Sequence, residues 1–422
     1  MLERSTTPPG RVAERRAWVT VAVATLCSAL PAFLTGALGV QLRDELGLTA
    51  TQIGLSMGAS FTVAAVASAP MGRLAQRIGP RLGFRTGLAV SATSMSLVAL
   101  LAREFWQFVL FLAIAGAGNA LNQPSANLLL ATHIDRERMG WALATKQSGM
   151  PAAALVGGGT VPLIALTVGW EWAYALGAVL AVVAAVALPA DRRGIAARTS
   201  RTKASAPAHL VDGGAVLDPP DRSPARPDLG LALLVLYACV GLLGATAAGA
   251  MVGFITSGAE ASGLGPGVSG LVLSLGSLVG IISRLVQGLQ VDRRGVLPIQ
   301  RLVWLFGLGG LGVLFLAVDR PLTYLLAPIP AFAFGWAWPG LFNLSVIRNN
   351  PSAPAAATGV SQVGVFAGAA VGPALGGLII DAAGYRALWL VSSASLLAGS
   401  AIAVYLRARI RAGRARSGSI GS

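Results

Sequence analysis

Charged residues are scarce in this chain. They make up 12% of its 422 residues, whereas roughly a quarter is usual for a soluble globular protein. Hydrophobic residues account for 55%, and the mean hydropathy is +0.69. This composition excludes a water-soluble globular domain and indicates a polytopic membrane protein.

Cysteine and histidine are equally rare, with two of each. Cys27 and Cys239 lie inside apolar stretches, so no disulfide framework is predicted. His133 and His209 lie in polar segments without further ligands at metal-binding spacing. No phosphate-cradling nucleotide loop is present either. We therefore expect no metal, no cofactor and no enzymatic activity.

Apolar runs long enough to cross a bilayer, which takes about 20 residues each, occur twelve times. We number them spans 1 to 12, and they cover residues 17–40, 51–70, 84–102, 105–132, 142–167, 170–189, 229–256, 267–288, 298–318, 322–346, 355–380 and 385–406.

The net charge of +15 comes from Lys and Arg residues scattered between the spans, which argues against a nucleic-acid partner. Of the 32 basic residues, 28 lie on the side of the N-terminus, and only Arg43, Arg103, Arg320 and Arg386 lie on the other. By the positive-inside rule, both termini are predicted to be cytoplasmic in a multi-pass plasma (inner) membrane protein.

A polar segment without apolar periodicity divides the chain into two equal parts. The predicted organisation is a cytoplasmic tail (1–16), an N-terminal six-helix half (17–190), a cytoplasmic linker (191–228), a C-terminal six-helix half (229–406) and a basic cytoplasmic tail (407–422).

The two halves repeat each other in sequence. An offset of 216 aligns Gly54, Gly72, Arg77 and Gly79 with Gly270, Gly288, Arg293 and Gly295, and an offset of 215 aligns Gln147, Gly149, Gly157 and Gly169 with Gln362, Gly364, Gly372 and Gly384. Six spans return the chain to the same side of the membrane, so the repeats are parallel. This arrangement, with the binding site between the halves, is typical of a transporter.

A glycine and arginine motif follows span 2 and recurs after span 8. The first copy comprises Gly72, Gln76, Arg77, Gly79 and Arg81, and the second comprises Gly288, Asp292, Arg293 and Gly295. The motif resembles the loop signature of the major facilitator superfamily, and the likeness covers the chain apart from its tails and linker. The family has Asp where this chain has Gln76, and often Arg where it has Leu112.

This resemblance implies an all-α membrane fold of twelve transmembrane helices in two six-helix half-bundles. It also implies that spans 1, 4, 7 and 10 line a central cavity and that spans 2, 5, 8 and 11 form the interface between halves. The Asp that Gln76 replaces would strengthen closure of the cytoplasmic gate.

Small residues recur along spans 5 and 11, and their spacing lets helix backbones approach closely. They are Gly149, Gly157, Gly364, Gly368, Gly372, Pro373 and Gly376. A rocking interface between the halves is the predicted role, and static packing is the alternative.

Ionisable side chains within a membrane span are costly and indicate function. None of the 17 acidic residues lies in the middle of a span. The cations Lys146, in span 5, and Arg284, in span 8, lie about one turn inside. We predict that both meet at the cavity and bind an anion. The alternative is that Lys146 reaches the cytoplasmic membrane surface and that Arg284 caps carbonyl groups or pairs with an acidic residue of a loop.

The pattern of Arg284, Gly288 and Asp292 resembles the corresponding helix of oxalate and monocarboxylate carriers. In those carriers the Arg binds the substrate carboxylate. This likeness covers three residues.

Amide and aromatic side chains complete the predicted substrate site, and hydrogen bonding between helices without a ligand is the alternative for those of spans 4 and 10. Span 4 carries amides along one predicted face, span 10 carries two tryptophans and an amide, and spans 5, 7 and 11 add weaker candidates. These residues are Asn119, Asn122, Gln123, Asn127, Trp336, Trp338, Asn343, Tyr237, Gln147 and Gln362.

The sequence thus predicts a monomeric secondary or facilitated transporter that moves a small-molecule substrate across the lipid bilayer by alternating access. An organic anion such as a carboxylate is the first substrate hypothesis. Efflux of hydrophobic drugs is the alternative, followed by a sensor or scaffold without transport. Whether a proton or a counter-anion is coupled to transport is left open by the sequence.

Overall fold

The computed structural model describes residues 11–133, 139–187, 228–294 and 297–419, and every regular element in these ranges is a helix. Spans 1 to 6 correspond to Arg11–Ala37, Ala50–Ile78, Pro80–Leu101, Phe105–His133, Met139–Thr160 and Trp170–Ala187. Span 5 continues through a π-helix, Val161–Ala165, and one further turn, Leu166–Val168, and a short helix, Gly39–Leu46, follows span 1. Spans 7, 8 and 9 correspond to Leu231–Ala261, Pro266–Arg294 and Pro298–Leu316.

Span 10 is broken into three short helices, Pro321–Leu326, Pro328–Gly335 and Pro339–Arg348. Each of them begins with proline, which lacks the amide hydrogen that a continuous helix requires. The predicted single run at 322–346 is therefore discontinuous, and the break at residues 336–338 frees backbone carbonyls.

Spans 11 and 12 form one helical segment, Pro354–Ser419, with a kink at Gly384 where φ is 77° and ψ is 177°. Ten helices among the described residues are long and apolar enough to cross a membrane, and the kinked segment is counted once among them. With its two spans counted separately and span 10 added, the fold contains the twelve predicted membrane helices.

The helical boundaries extend beyond the predicted apolar runs. Span 1 begins at Arg11 rather than residue 17, and span 12 continues to Ser419 rather than residue 406. Hydropathy detects only the part of a helix within the bilayer, whereas arginine and alanine extend helices readily beyond it. The linker 191–228 lies outside the described residues except Asp228, so these domain boundaries stay predictions.

Local sequence signals define where span 2 begins and ends. Thr49 and Gln52 form a reciprocal capping box at its N-terminus, with bonds of 3.2 and 2.9 Å. Its end is at Gly79, whose φ of 87° favours glycine, and Pro80 starts span 3. The glycine in the loop motif thus has a conformational role.

Acidic side chains cluster at one end of the bundle, which we call the acidic end. Glu45 accepts a hydrogen bond from Trp170, and Glu171 lies 3.9 Å from Arg103. The opposite end, where spans 2 and 8 finish in arginine-rich turns, is the basic end. In the predicted topology it faces the cytoplasm.

Candidate functional site

Lys146 is buried within span 5, with 5% of its surface exposed. Its Nζ donates a hydrogen bond of 2.6 Å to Oδ1 of Asn127 on span 4. The side chain therefore does not reach the membrane surface, which removes the snorkelling alternative for Lys146.

The same pairing recurs in the C-terminal half. Gln362 on span 11 donates through Nε2 to Oδ1 of Asn343 on span 10. At an offset of 216, Lys146 aligns with Gln362 and Asn127 aligns with Asn343. The structural equivalent of Gln362 is therefore Lys146. The offset of 215 pairs Gln362 with Gln147 instead, and that pairing is wrong. One repeat carries a cation where the other carries an amide.

Arg284 is 2% exposed and is held by main-chain carbonyl groups. Its Nε donates to the Trp336 oxygen at 3.0 Å, a second guanidinium nitrogen donates to the same oxygen, and the third donates to the carbonyl of Gln147. The guanidinium carbon also lies 5.0 Å from the centre of the Trp336 ring. Arg284 thus caps carbonyls, as the alternative predicted, and ties span 8 to span 5 across the two halves.

The broken geometry of span 10 makes this contact with Arg284 available. Trp336 has φ −120° and ψ 1° at the end of Pro328–Gly335, so its carbonyl lies outside a regular helix. Sequence hydropathy does not reveal such a break, whereas Pro328 and Pro339 are a signal for it.

The positive charges of Lys146 and Arg284 have no acidic partner among the described residues. Within those ranges neither side chain forms an ion pair, and the pair between Arg103 and Glu171 lies at the acidic end. Lys146 and Arg284 lie on neighbouring spans but make separate contacts. The link between them is through the backbone, because Arg284 donates to the carbonyl of Gln147, the residue that follows Lys146.

A small cavity of about 10 Å³ lies beside Arg284, lined by residues that include Gln147, Gln287, Gly288 and Leu344. This volume is about that of one water-sized sphere. In this conformation the cavity has room for no more than about one water molecule.

The amide row on span 4 follows one face only in part. Asn119 accepts hydrogen bonds from Ser28 at 3.4 Å and from Gln123 at 3.3 Å, and Asn127 continues this row. Asn122 departs from the prediction. It is 2% exposed and packs on Gly87 of span 3, and its side-chain amide has no hydrogen bond within the described chain. A spacing of three rotates it off the row, whose other members are four apart.

The aromatic residues of span 10 divide between two environments. Trp336 packs edge-on against Phe33 of span 1, with ring centres 5.9 Å apart, and against Phe332 at 5.6 Å. Trp338 is 1% exposed and packs on Phe306 within the C-terminal half. Phe33 was missed by the sequence prediction because one phenylalanine in an apolar span carries no distinguishing signal.

Tyr237 also lies in the interior of the C-terminal half. It is fully buried, and its hydroxyl lies 2.7 Å from that of Ser345 on span 10. A second hydrogen bond of 3.3 Å comes from Asn349. These contacts join spans 7 and 10 within one half, and the assignment of Trp338 and Tyr237 to the substrate site stays a prediction.

The glycine stripe packs within each half, which is a correction to the predicted rocking interface. Gly364, Gly368 and Gly372 contact Ala238, Leu242 and Thr246 of span 7, and Gly376 contacts Phe254 of the same span. Gly149 and Gly157 contact span 1 at Thr25 and Phe33. A repeat of four residues follows one helix neighbour, and in both halves that neighbour belongs to the same repeat.

Apart from Pro373, which does lie at the interface between the halves, the small residues found there are not those of the predicted stripe. Gly54 of span 2 contacts Pro373 of span 11, and Gly158 of span 5 contacts Gly270 of span 8. These pairs are related by the offsets of 216 and 215, so they are two copies of one contact. In addition, Ser274 donates a hydrogen bond of 2.9 Å to the Leu155 carbonyl.

Polar contacts close the acidic end of this interface. The backbone amide of Thr51, in the first turn of span 2, donates to Asp381 of span 11 at 2.8 Å. Arg43 donates to the hydroxyl of Tyr385 at 3.2 Å. The bundle is therefore in a conformation whose halves are joined at the acidic end.

The loop motif lies at the basic end. Gln76 and Arg77 are exposed, Arg81 is half-buried, and a methyl group on Gly72 would meet no atom within 4 Å. In the second copy, Gly288 is buried and Arg293 is exposed, whereas the side chain of Asp292 and all of Gly295 lie outside the described residues.

Comparison with known proteins identifies the fold. The family model described as Major Facilitator Superfamily matches residues 21–347. Multidrug resistance protein MdtG of Serratia proteamaculans is 38% identical over 122 residues, which is 27% of this chain and 28% of that protein. The MdtG proteins of Dickeya zeae and Klebsiella pneumoniae are 36% and 37% identical over 120 and 122 residues, and each match covers 28% of the relative.

These matches span little more than a quarter of the relatives' length, so they carry less weight than the family match. The resemblance to oxalate and monocarboxylate carriers is not among these matches and stays a prediction. Because the family model covers most of the chain, the protein belongs to the Major Facilitator Superfamily.

Proposed function

We propose that this transporter moves a small organic anion with an apolar body by alternating access between its halves. The observation that carries the proposal is the pair of buried cations, Lys146 and Arg284, which have no acidic partner in the described chain. Removing a charge from water costs several kcal/mol unless a partner compensates for it. An anionic substrate would supply that compensation.

Lys146 has unused hydrogen-bonding capacity. An ammonium group has three donors, and within the described residues Lys146 uses one, toward Asn127. The two remaining N–H groups suit a carboxylate or phosphonate, with Asn127 holding the ammonium in place.

Arg284 contributes a fixed positive charge rather than a free binding fork. The carbonyls of Trp336 and Gln147 hold its guanidinium. These dipoles compensate for part of its charge but do not neutralise it. Its role would be to raise the local positive potential beside Lys146 and to join the halves when no substrate separates them.

The apolar body of the substrate would contact aromatic rings. Phe33 of the N-terminal half and Trp336 of the C-terminal half meet where the halves join. This aromatic pair, with ring centres 5.9 Å apart, provides apolar surface close to Arg284, whose guanidinium carbon lies 5.0 Å from the Trp336 ring centre. An amphiphilic anion fits this combination better than a small inorganic ion.

Export is the proposed direction. It is supported by the similarity to proteins named for multidrug resistance, within the quarter of the chain that they match.

Transport assays in proteoliposomes test this proposal with a panel of aromatic carboxylates and their uncharged methyl esters. Lys146→Ala should lower carboxylate transport at least about tenfold, since a hydrogen bond to a charged group contributes roughly 1.5–3 kcal/mol. Arg284→Ala should also lower it, because the fixed positive charge beside Lys146 is lost. Arg284→Lys should also be poor because an ammonium cannot span both carbonyls. Lys203→Ala, in the predicted linker, is the control and should transport normally.

Export of uncharged hydrophobic drugs is the second candidate. The observation in its favour is that Arg284 is already held by carbonyl groups. If the esters are transported, the carboxylates are not, and Lys146→Ala is unaffected, this second function replaces the first.

A further inference from the structure

We propose that a groove on the lipid-facing surface, formed by spans 8, 9 and 10, binds the headgroup of an anionic phospholipid. The groove has a volume of about 370 Å³. Its polar lining comprises Gln287, Gln300 and Arg301, and its apolar lining includes Trp304, Leu308 and Phe334. This groove is separate from the proposed substrate site, and the proposal does not depend on what the transporter carries.

The polarity of the groove changes along span 9, which begins at Pro298. Gln300 and Arg301 lie in its first turn, whereas Trp304 and Leu308 lie one and two turns deeper. At 1.5 Å per residue, the polar and apolar ends are about 12 Å apart. The charged end of the groove matches a phospholipid headgroup, and its apolar wall matches the start of the acyl chain.

The apolar wall faces outward from the bundle. Trp304 is 61% exposed and Leu308 is 40% exposed. In a bilayer such side chains contact lipid, and tryptophan favours the depth where headgroups meet acyl chains. Arg301 therefore lies at the level of the headgroups.

The charge of the groove selects an anion. Arg301 is half-buried, and its one hydrogen bond in the described chain is a long contact of 3.4 Å to Gln287. Among the side chains that the structure describes, which do not include that of Asp292, no acidic one pairs with it. The N-terminus of span 9 adds a partial positive charge at the same level. Basic pockets between membrane helices are known to bind anionic headgroups.

Gln287 connects this groove with the interior. It lines both the groove and the small cavity beside Arg284. A bound lipid would therefore lie against the outer wall of the region where the halves meet.

Native mass spectrometry of the full-length protein in detergent tests the proposal, with phosphatidylglycerol or phosphatidylcholine added at equal concentrations. The wild type should retain phosphatidylglycerol in preference to phosphatidylcholine. Arg301→Ala should lower phosphatidylglycerol retention about fivefold, which corresponds to ~1 kcal/mol for one basic residue near the surface. Arg301→Lys, which keeps the charge, should retain most of it.

Arg73→Ala is the matched control, since Arg73 is an exposed arginine near the basic end that lies outside the groove. It should retain phosphatidylglycerol like the wild type. Equal retention of both lipids by the wild type would overturn the proposal. An equal loss in the Arg73→Ala and Arg301→Ala variants would do the same, because it would indicate a general attraction to basic surface.

Discussion

Gly270→Ala should open the acidic end of the helical bundle. Gly270 lies on span 8 at the contact with span 5, and the added methyl group would lie 2.6 Å from the Gly158 carbonyl oxygen and 2.6 Å from Cβ of Val161. A Cβ atom does not approach non-bonded atoms so closely. The carbonyl belongs to the backbone, so it cannot move away as a flexible side chain could. The substitution therefore penalises only the conformation in which the halves touch here.

The size of this penalty follows from overpacking. Inserting a methylene group into a well-packed contact costs about 1–3 kcal/mol. Each 1.4 kcal/mol is a factor of about ten in an equilibrium constant. The population open at the acidic end should therefore rise by roughly 5- to 150-fold relative to the closed one.

Cysteine labelling of the purified protein measures this shift without reference to membrane orientation. Met57, which is fully buried and contacts Gly253 across the halves, becomes the reporter as Met57→Cys in a chain where Cys27 and Cys239 are replaced by alanine. Its labelling rate should rise at least about fivefold with Gly270→Ala.

Gly265→Ala is the control, because a methyl group there would meet no atom within 4 Å. Equal labelling rates in Gly270→Ala and Gly265→Ala would refute the assignment of Gly158 and Gly270 to the moving interface.

Three further changes test other parts of the account. Asp381→Asn removes the charged partner of the Thr51 amide. It should raise the labelling rate of Met57→Cys about two- to fivefold, since a carboxylate at a helix N-terminus contributes about 0.3–1 kcal/mol. An unchanged rate would argue that polar contacts do not hold the acidic end closed. Gln76→Asp restores the family pattern and should favour closure of the basic end by a similar factor, seen as slower labelling of Gly359→Cys, and faster labelling would contradict it. Asp212→Cys should react with an impermeant reagent only from the cytoplasmic side, and reaction from outside would refute the predicted topology.

Hydropathy and charge were sufficient to predict the twelve membrane helices, because the bilayer requires both length and apolarity from each span. The break in span 10 was not predicted, since its three short helices together remain apolar. The break determines where the Trp336 carbonyl lies, so the contact with Arg284 could not be predicted from hydropathy.

The repeat indicated which residues correspond but not which neighbours they contact. Gly364 and Gly368 were correctly recognised as positions of close approach, yet the neighbour is span 7 of their own half. The residue pattern of one helix defines which side chains share a face, but it does not identify the helix that this face contacts. For the same reason the sequence could not distinguish Asn122, which faces span 3, from Asn119 in the same span.

Lys146 shows what the structure adds to the repeat. A shift of one residue in the alignment hid its equivalence to Gln362, and the matching hydrogen bonds to Asn127 and Asn343 revealed it. The N-terminal half therefore differs from the C-terminal half by one buried charge at this position.

Lys146→Gln gives the most direct test of the anion hypothesis, because it converts one repeat into the other while an amide can still bond to Asn127. The measurement is the dissociation constant of an aromatic carboxylate that the wild type transports, compared with that of its uncharged amide. The charge of Lys146 should contribute roughly 1.5–3 kcal/mol, so the variant should bind the carboxylate about 10- to 150-fold more weakly and the amide with unchanged affinity. Equal affinities of the wild type and the variant for the carboxylate would contradict a role for Lys146 in anion binding.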